Sequence, residues 1–441
     1  MPPYRFRFIL ILILTTALLT AEVTAMPSVA TLPNGDIATP QNFKVAFIGD
    51  SDDGQPFQDV LDLIVAEEAQ FVLHQGDFAY SSNISTWEAR INDTLGATFP
   101  LSGPDGNHDD WAIYVPFFKA RLDAMGISPN PLEGGEDDFT FAYQGLKIVF
   151  SQQGGNPAFI ESSLTGDNHI WKICGWHYNM NAMQIGGKSD QQGWGDYETC
   201  REQGALIVTG HEHSYERTRT LTNMMTQIID VACPDDPNTP DADVCVSPGR
   251  SLTIVSGLGG RGMRDQNRCL PYTYPYGCQG EWAKVYTTDQ TPNGEEQFGA
   301  LFITFYVDDN PYKARAYFKN TLGEVIDSFD IYATSDAMPN LSIALANPKV
   351  SLGWQDLGDH IDHYEVWRSD VPYFAVGGET AVNLNNNIIV TTHGTPVIFN
   401  DSTAGSDSQN YFYLVEIVGV NNQTTFNEVG KFNYPIIPGS S

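Results

Sequence analysis

Residues 43–77 read FKVAFIGDSDDGQPFQDVLDLIVAEEAQFVLHQGD, and the order of patterns within them sets the fold class. Phe43 to Gly49 is an apolar run of the length of a buried strand, and it ends at Gly49-Asp50. Apolar positions then recur at helical spacing from Val60 to Ala69, and Phe71-Val72-Leu73 gives a second short strand that ends near Asp77. Strand, loop, helix and strand in that order predict an α/β fold whose loops present side chains at the carboxyl edge of a sheet. Asp50 and Asp77 are the side chains so presented.

Working outward, further strands are expected at 138–143, 146–151, 170–175, 205–209, 251–256, 299–307, 312–319 and 326–332. Several of the later ones should be antiparallel, because the links between them are too short for crossover helices. Five motifs punctuate this pattern: Gly49-Asp50, Gly76-Asp77-Phe78-Ala79-Tyr80, Gly106-Asn107-His108-Asp109, His177 closing Ile173-Cys174-Gly175-Trp176-His177, and Gly210-His211-Glu212-His213. Aspartate, asparagine and histidine hold hard and borderline first-row metal ions, and a glycine beside the ligand lets the backbone turn toward the ion. Alone, a Gly-Asp pair is an ordinary turn and one histidine an ordinary packed residue. Alternation along a strand would point His211 and His213 the same way. Five motifs in order, each after a predicted strand, indicate a metal site.

Their order and residue types resemble the calcineurin-like metallophosphoesterases. Gly76-Asp77 with Tyr80, and the run Gly210-His211-Glu212-His213-Ser214-Tyr215-Glu216-Arg217, resemble the purple acid phosphatase branch of that superfamily. The resemblance implies a β-sandwich flanked by helices in α/β/β/α layers, with two metal ions bound at its edge. Asp77 would bridge them, Asp50, Tyr80 and His213 would hold the first, and Asn107, His177 and His211 the second. His108 would steady the transition state or protonate the leaving group. The chain departs from the commoner superfamily pattern at Asp50-Ser51-Asp52, where a histidine usually stands in place of Asp52. Tyr80 and Asp52 therefore compete for one place on the first ion, and the spacing from Asp77 favours Tyr80. A tyrosinate favours ferric iron beside a divalent zinc, manganese or iron, whereas Asp52 would favour two divalent ions. The implied reaction is hydrolysis of a phosphomonoester by a hydroxide generated between the ions. A phosphodiesterase or nucleotidase is the nearest alternative, and an inactive carbohydrate- or surface-binding protein a more distant one. Tyr215, Arg217 and Arg261 are candidate substrate contacts. The run Ile254 to Arg261 either cradles phosphate or is a turn that needs small residues.

The rest of the chain frames this site. Its 441 residues, 41% of them hydrophobic, predict two domains. Arg5 and Arg7, the apolar stretch Phe8 to Leu19 and Val23-Thr24-Ala25 read as a signal peptide over residues 1–25, so a secreted protein with no membrane span is expected. The phosphoesterase domain is expected at 40–333. After a polar stretch at Thr334 to Asn340, residues 340–436 resemble a fibronectin type III-like β-sandwich, which would serve surface or carbohydrate contact. In an oxidising compartment Cys233 should pair with Cys245 and Cys269 with Cys278, while Cys174 and Cys200 are either a third pair or free thiols. A formal net charge of -31 argues against a phosphate-backbone binder, which would need a basic face, so no binding to a nucleic acid polymer is expected. A small phosphate ester must then be attracted by a local positive centre.

Overall fold

The structure, a computed structural model, describes residues 29–431 other than 33–35, 231–232, 234–243, 309, 334–341, 346–348, 356–360, 372–373, 375–377, 379, 386–395, 405–408 and 420–423. The expected signal peptide, the polar stretch at 334–340 and residues 432–436 lie outside the described residues.

Two seven-stranded sheets form the first part of the chain. One runs Val244–Val246, Val325–Ala333, Asn310–Asn320, Gly299–Val307, Phe43–Ile48, Phe71–His74, Leu101–Ser102 across its width. The other runs Trp282–Tyr286, Tyr215–Thr218, Thr253–Ser256, Leu206–Thr209, Trp171–Trp176, Leu146–Phe150, Phe139–Tyr143. The sheets share one core. Tyr215 stacks on Phe318 with ring centroids 4.3 Å apart, Trp171 meets Phe305 at 5.1 Å, and Ser256 Oγ donates to the Phe47 carbonyl. Strands such as Phe43–Ile48 and Leu206–Thr209 are buried on both faces, which is why they read as unbroken apolar runs.

Helices cover the outer faces. Gln55–Ala66 buries Phe57, Val60, Leu61 and Ile64, and it begins earlier than its apolar spacing predicts because Pro56 is compatible with a first helical turn. On the other side Pro157–Leu164 is capped by Asn156, whose side chain accepts from the Phe159 N–H, and Trp194–Glu202 packs Tyr197 against Trp176. The result is the expected α/β/β/α layering. All three cysteine pairs are disulfides, including Cys174–Cys200, which ties Trp171–Trp176 to Trp194–Glu202.

Within the first sheet Phe43–Ile48, Phe71–His74 and Leu101–Ser102 are parallel; within the second so are Leu146–Phe150, Trp171–Trp176, Leu206–Thr209 and Thr253–Ser256. Asp50, Asp77, Asn107, His177 and His211 all follow the carboxyl ends of these strands. The late strands Gly299–Val307, Asn310–Asn320 and Val325–Ala333 are antiparallel, as their short links require.

A separate all-β unit follows. Ser342–Leu345, Val350–Gln355 and Pro396–Asp401 form one antiparallel sheet, while Val382–Asn383, Ile361–Ser369, Tyr411–Gly419 and Thr424–Lys431 form another. Val350, Leu352, Trp354, Tyr364, Val366, Tyr413 and Val415 make its core. Among the described residues no helix is long and apolar enough to cross a membrane.

Candidate metal centre

Asp50, Asp77, Tyr80 and His211 have φ of 54°, 55°, 50° and 69°, the left-handed region that L-residues seldom occupy. Each costs on the order of 1 kcal/mol or more, so the surrounding contacts must enforce it. Asp109 supplies several of them: its carboxylate accepts the N–H groups of Gly106, Asp77 and Phe78 at 2.8, 2.8 and 3.0 Å. Burial and the neighbouring Asp77 push its pKa up to about 7. Gly106 is required where these loops meet, because a Cβ there would lie 2.2 Å from the Asp77 nitrogen.

The candidate ligands converge in two groups. In the first, Tyr80 O–H donates to Asp50 Oδ1 at 3.1 Å and lies 3.2 Å from His213 Nε2, which is itself 3.4 Å from Asp50 Oδ1. In the second, His177 Nε2 lies 3.1 Å from His211 Nδ1 and 3.2 Å from Asn107 Oδ1. Asp77 joins the second group through His177 Nε2 at 3.3 Å, and its charge also bears on the Tyr80 phenol of the first. The groups are further tied by the His211 N–H, which donates to Asp50 Oδ2 at 2.8 Å.

All three histidines are fixed by their outward nitrogens. A carbonyl can only accept, so Nδ1 of His177, 2.8 Å from the Gln75 carbonyl, and Nδ1 of His213, 2.7 Å from that of Gly262, must carry the proton. His211 Nε2 likewise donates to Gln191 Oε1 at 2.9 Å. In the neutral rings the inward nitrogens then present lone pairs to one another and to carboxylates. Only a proton or a metal cation relieves that arrangement, and outward hydrogen bonds of this kind are how metal-binding imidazoles are oriented. As a proton acceptor, His177 is opposed by burial, yet Asp77 and Asp50 outweigh it and raise its pKa to about 9. Burial, His177 and Lys188 push that of His211 down to about 2. Burial also works against the charge on Asp50, but His213, His177 and Lys188 hold its carboxyl below the usual range. Burial, Asp50 and Asp77 raise the Tyr80 phenol, so its ionisation calls for a cation. The donor set therefore fits metal ions, and Asp77, His177 and His211 bring their ligand atoms within 4.8 Å of one another.

Several expectations change. His211 and His213 lie in the turn after Leu206–Thr209, not on a strand, and their rings serve different groups. Asp52 pairs with Arg261, whose guanidinium also sits 4.5 Å above the Tyr80 ring. Arg217 is not a substrate contact. Its guanidinium is fully buried, donates to Asp327 at 2.7 and 3.0 Å and stacks on Phe329 at 3.9 Å, while Tyr215 O–H donates to the same carboxylate at 2.7 Å. The glycine-rich run also follows the structural reading: a Cβ at Gly257 would lie 2.1 Å from the Glu212 carbonyl oxygen. Arg261 does reach the rim, and His108, exposed, lays its ring 4.7 Å from that of Tyr80. Gln75, Gln191 and Lys188 carried no signal in the sequence, because their roles depend on contacts across the fold.

Residues 43–215 match the calcineurin-like phosphoesterase family, so the chain carries a calcineurin-like metallophosphoesterase domain. Among solved structures, the purple acid phosphatase PPD1 from yellow lupin (Lupinus luteus) seeds is 16% identical, covering 69% of this chain and 58% of that one, with a TM-score of 0.45. PhoD is 11% identical, covering 68% of this chain and 73% of that one, with a TM-score of 0.39. A conserved uncharacterised protein of Streptococcus pneumoniae TIGR4, a predicted phosphoesterase, is 11% identical, covering 66% and 97%, with a TM-score of 0.27. The chain thus spans 58% of the length of the lupin protein. No curated protein matches it in sequence.

Proposed function

We propose that this chain is a secreted, metal-dependent phosphatase that hydrolyses phosphate monoesters at the cluster of Asp50, Asp77, Tyr80, Asn107, His177, His211 and His213. The observation that carries the reading is the fixing of three histidines through their outward nitrogens, which aims three inward lone pairs at two carboxylates, an amide oxygen and a phenol. Asp77, 3.3 Å from His177 in the second group and near enough to the first for its charge to bear on the Tyr80 phenol, is the bridging ligand. Bound there, two cations would lower the pKa of a water and neutralise phosphoryl charge.

The protein's own groups do the rest. His108 is held at the mouth by its N–H, which donates to Asp77 Oδ1 at 2.9 Å, and its exposed ring is free to give a proton to the leaving oxygen. Tyr80, rather than Asp52, belongs to the first ion, since Asp52 is engaged by Arg261. A tyrosine ligand favours ferric iron there, with zinc, manganese or iron as the divalent partner. Three disulfides accord with an oxidising compartment. Residues 340–436 are a fibronectin type III-like module for surface or carbohydrate contact, a reading supported by antiparallel sheets of three and four strands around one core. The catalytic domain is then 40–333.

Metal analysis of the purified protein, with an ester panel assayed in iron, zinc and manganese separately, tests the reading. About two ions per chain and turnover of monoesters are expected. A metal-free protein inert toward every ester would remove it.

A further inference from the structure

We propose that Lys188 is a substrate-binding residue that grips the third non-bridging oxygen of a phosphate monoester and so selects monoesters over diesters. This rests on the phosphatase reading above. Lys188 lies in the loop between His177 and the helix Trp194–Glu202, and that loop is stitched into place on every side. Asn181 Nδ2 and Gln184 Nε2 donate to the Lys188 carbonyl at 2.6 and 3.3 Å. The Ile185 N–H donates to the buried Glu216 at 2.8 Å, the Gln191 N–H donates to the Asn179 carbonyl, and the Arg268 guanidinium donates to the carbonyls of Asn181 and Gln184.

So held, the Lys188 ammonium donates to the carbonyl of His211. An ammonium has three donors, and among the described residues only this one acceptor is within hydrogen-bond distance. Two donors remain unspent on a half-buried cation beside the second ligand group. The other cations near the site are committed elsewhere: Arg217 to Asp327 in the core, Arg261 to Asp52, and Arg264 toward Glu212 at 3.7 Å. Lysine is a compact point charge whose donors rotate to meet an oxygen, which suits a terminal phosphate.

The selectivity follows from counting oxygens. A monoester dianion has three non-bridging oxygens, and the cations that the two ligand groups would hold, with Lys188, would make three positive centres. A diester has two such oxygens and one charge. Its remaining oxygens carry carbon substituents, so the ammonium would face a poor acceptor and a chain that strips its water. A charge-assisted hydrogen bond is strong enough to separate the two classes.

The test compares wild type with Lys188→Met and Lys188→Arg in the metal-loaded, full-length protein, with Lys188→Gln in reserve if the Met variant does not fold. For Lys188→Met, kcat/KM for p-nitrophenyl phosphate should fall about 100-fold and inorganic phosphate should bind about 10-fold or more weakly. Turnover of bis(p-nitrophenyl) phosphate should stay within about threefold and metal content should be unchanged. Lys188→Arg, which keeps the charge, should recover most of the phosphate binding. An equal fall on both esters with metal loss would reduce Lys188 to a prop for His211 and overturn the proposal, as would unchanged phosphate binding. A wild type that hydrolyses neither ester, yet binds phosphate through Lys188, would sink the phosphatase reading while keeping the binding site.

Discussion

On the floor of the site Asp50, Asp77, His177 and His211 are between 0% and 6% exposed, whereas Asn107, His108 and Arg261 at the rim are open to solvent. Floor residues spend their polar atoms on one another and on backbone: Asp50 accepts from the His211 N–H, and His177 donates to the Gln75 carbonyl. At the rim, Arg261 spends its guanidinium on an exposed partner, and among the described residues the His108 ring makes no hydrogen bond. The two candidate arginines divide the same way. Arg217 is locked to Asp327 in the core, and Arg261 pairs with Asp52 in solvent. Depth thus separates groups that fix charge in place from groups that can meet a substrate, since a buried polar atom must be satisfied and an exposed one need not be.

The largest effect should come from the floor. His211→Ala removes an inward nitrogen and strands Gln191, so it should cost at least one bound ion and about 1,000-fold or more in turnover. Metal analysis beside kcat checks this, and a variant that keeps both ions would dissolve the distinction between floor and rim. Next comes Arg217→Met, which leaves Asp327 buried without its guanidinium. It should destabilise the protein by about 3–5 kcal/mol and leave KM of the folded fraction unchanged. Chemical denaturation reads the first and steady-state kinetics the second; a raised KM at full stability would return Arg217 to the substrate.

The sequence was most legible where pattern and position coincide. Buried strands announced themselves as apolar runs, and each ended within three residues of the side chain it delivers, so Asp50, Asp77 and His177 could be named as candidates before their contacts were known. Tyr215, Glu216 and Arg217 show the limit, because motif membership placed them beside the site while tertiary pairing took Arg217 and Tyr215 to Asp327 and Glu216 to the Ile185 N–H. Lys188 shows the opposite failure. It sits in a loop without periodicity, and only the fold brings it to the His211 carbonyl. The His211 and His213 pair fell between: the residue types point to metal, but a turn rather than strand alternation sets their directions.

At the rim, His108→Ala should lower turnover about 100-fold while both ions stay bound, as expected when a proton donor or transition-state contact is removed without touching the cations. Metal loss equal to that of His211→Ala would place His108 on the floor instead.

The smallest effect tests the two residues that compete for the first ion. Asp52 lies on an exposed pair with Arg261, and such pairs contribute at most about 1 kcal/mol, so Asp52→Asn should change turnover less than about fivefold. Arg261 would remain over the Tyr80 ring and keep its N–H bonded to the Asp50 carbonyl, so the first ligand group should hold its shape. Tyr80 is different, because its oxygen lies within 3.2 Å of both Asp50 Oδ1 and His213 Nε2. If ferric iron sits there, phenolate-to-metal charge transfer should colour the iron-loaded protein. Tyr80→Phe should bleach it, and Asp52→Asn should leave the absorption band in place. A colourless, active protein holding two divalent ions, insensitive to Tyr80→Phe and crippled by Asp52→Asn, would move the ligand from floor to rim and strip the site of its likeness to a purple acid phosphatase, with the phosphoesterase reading still standing.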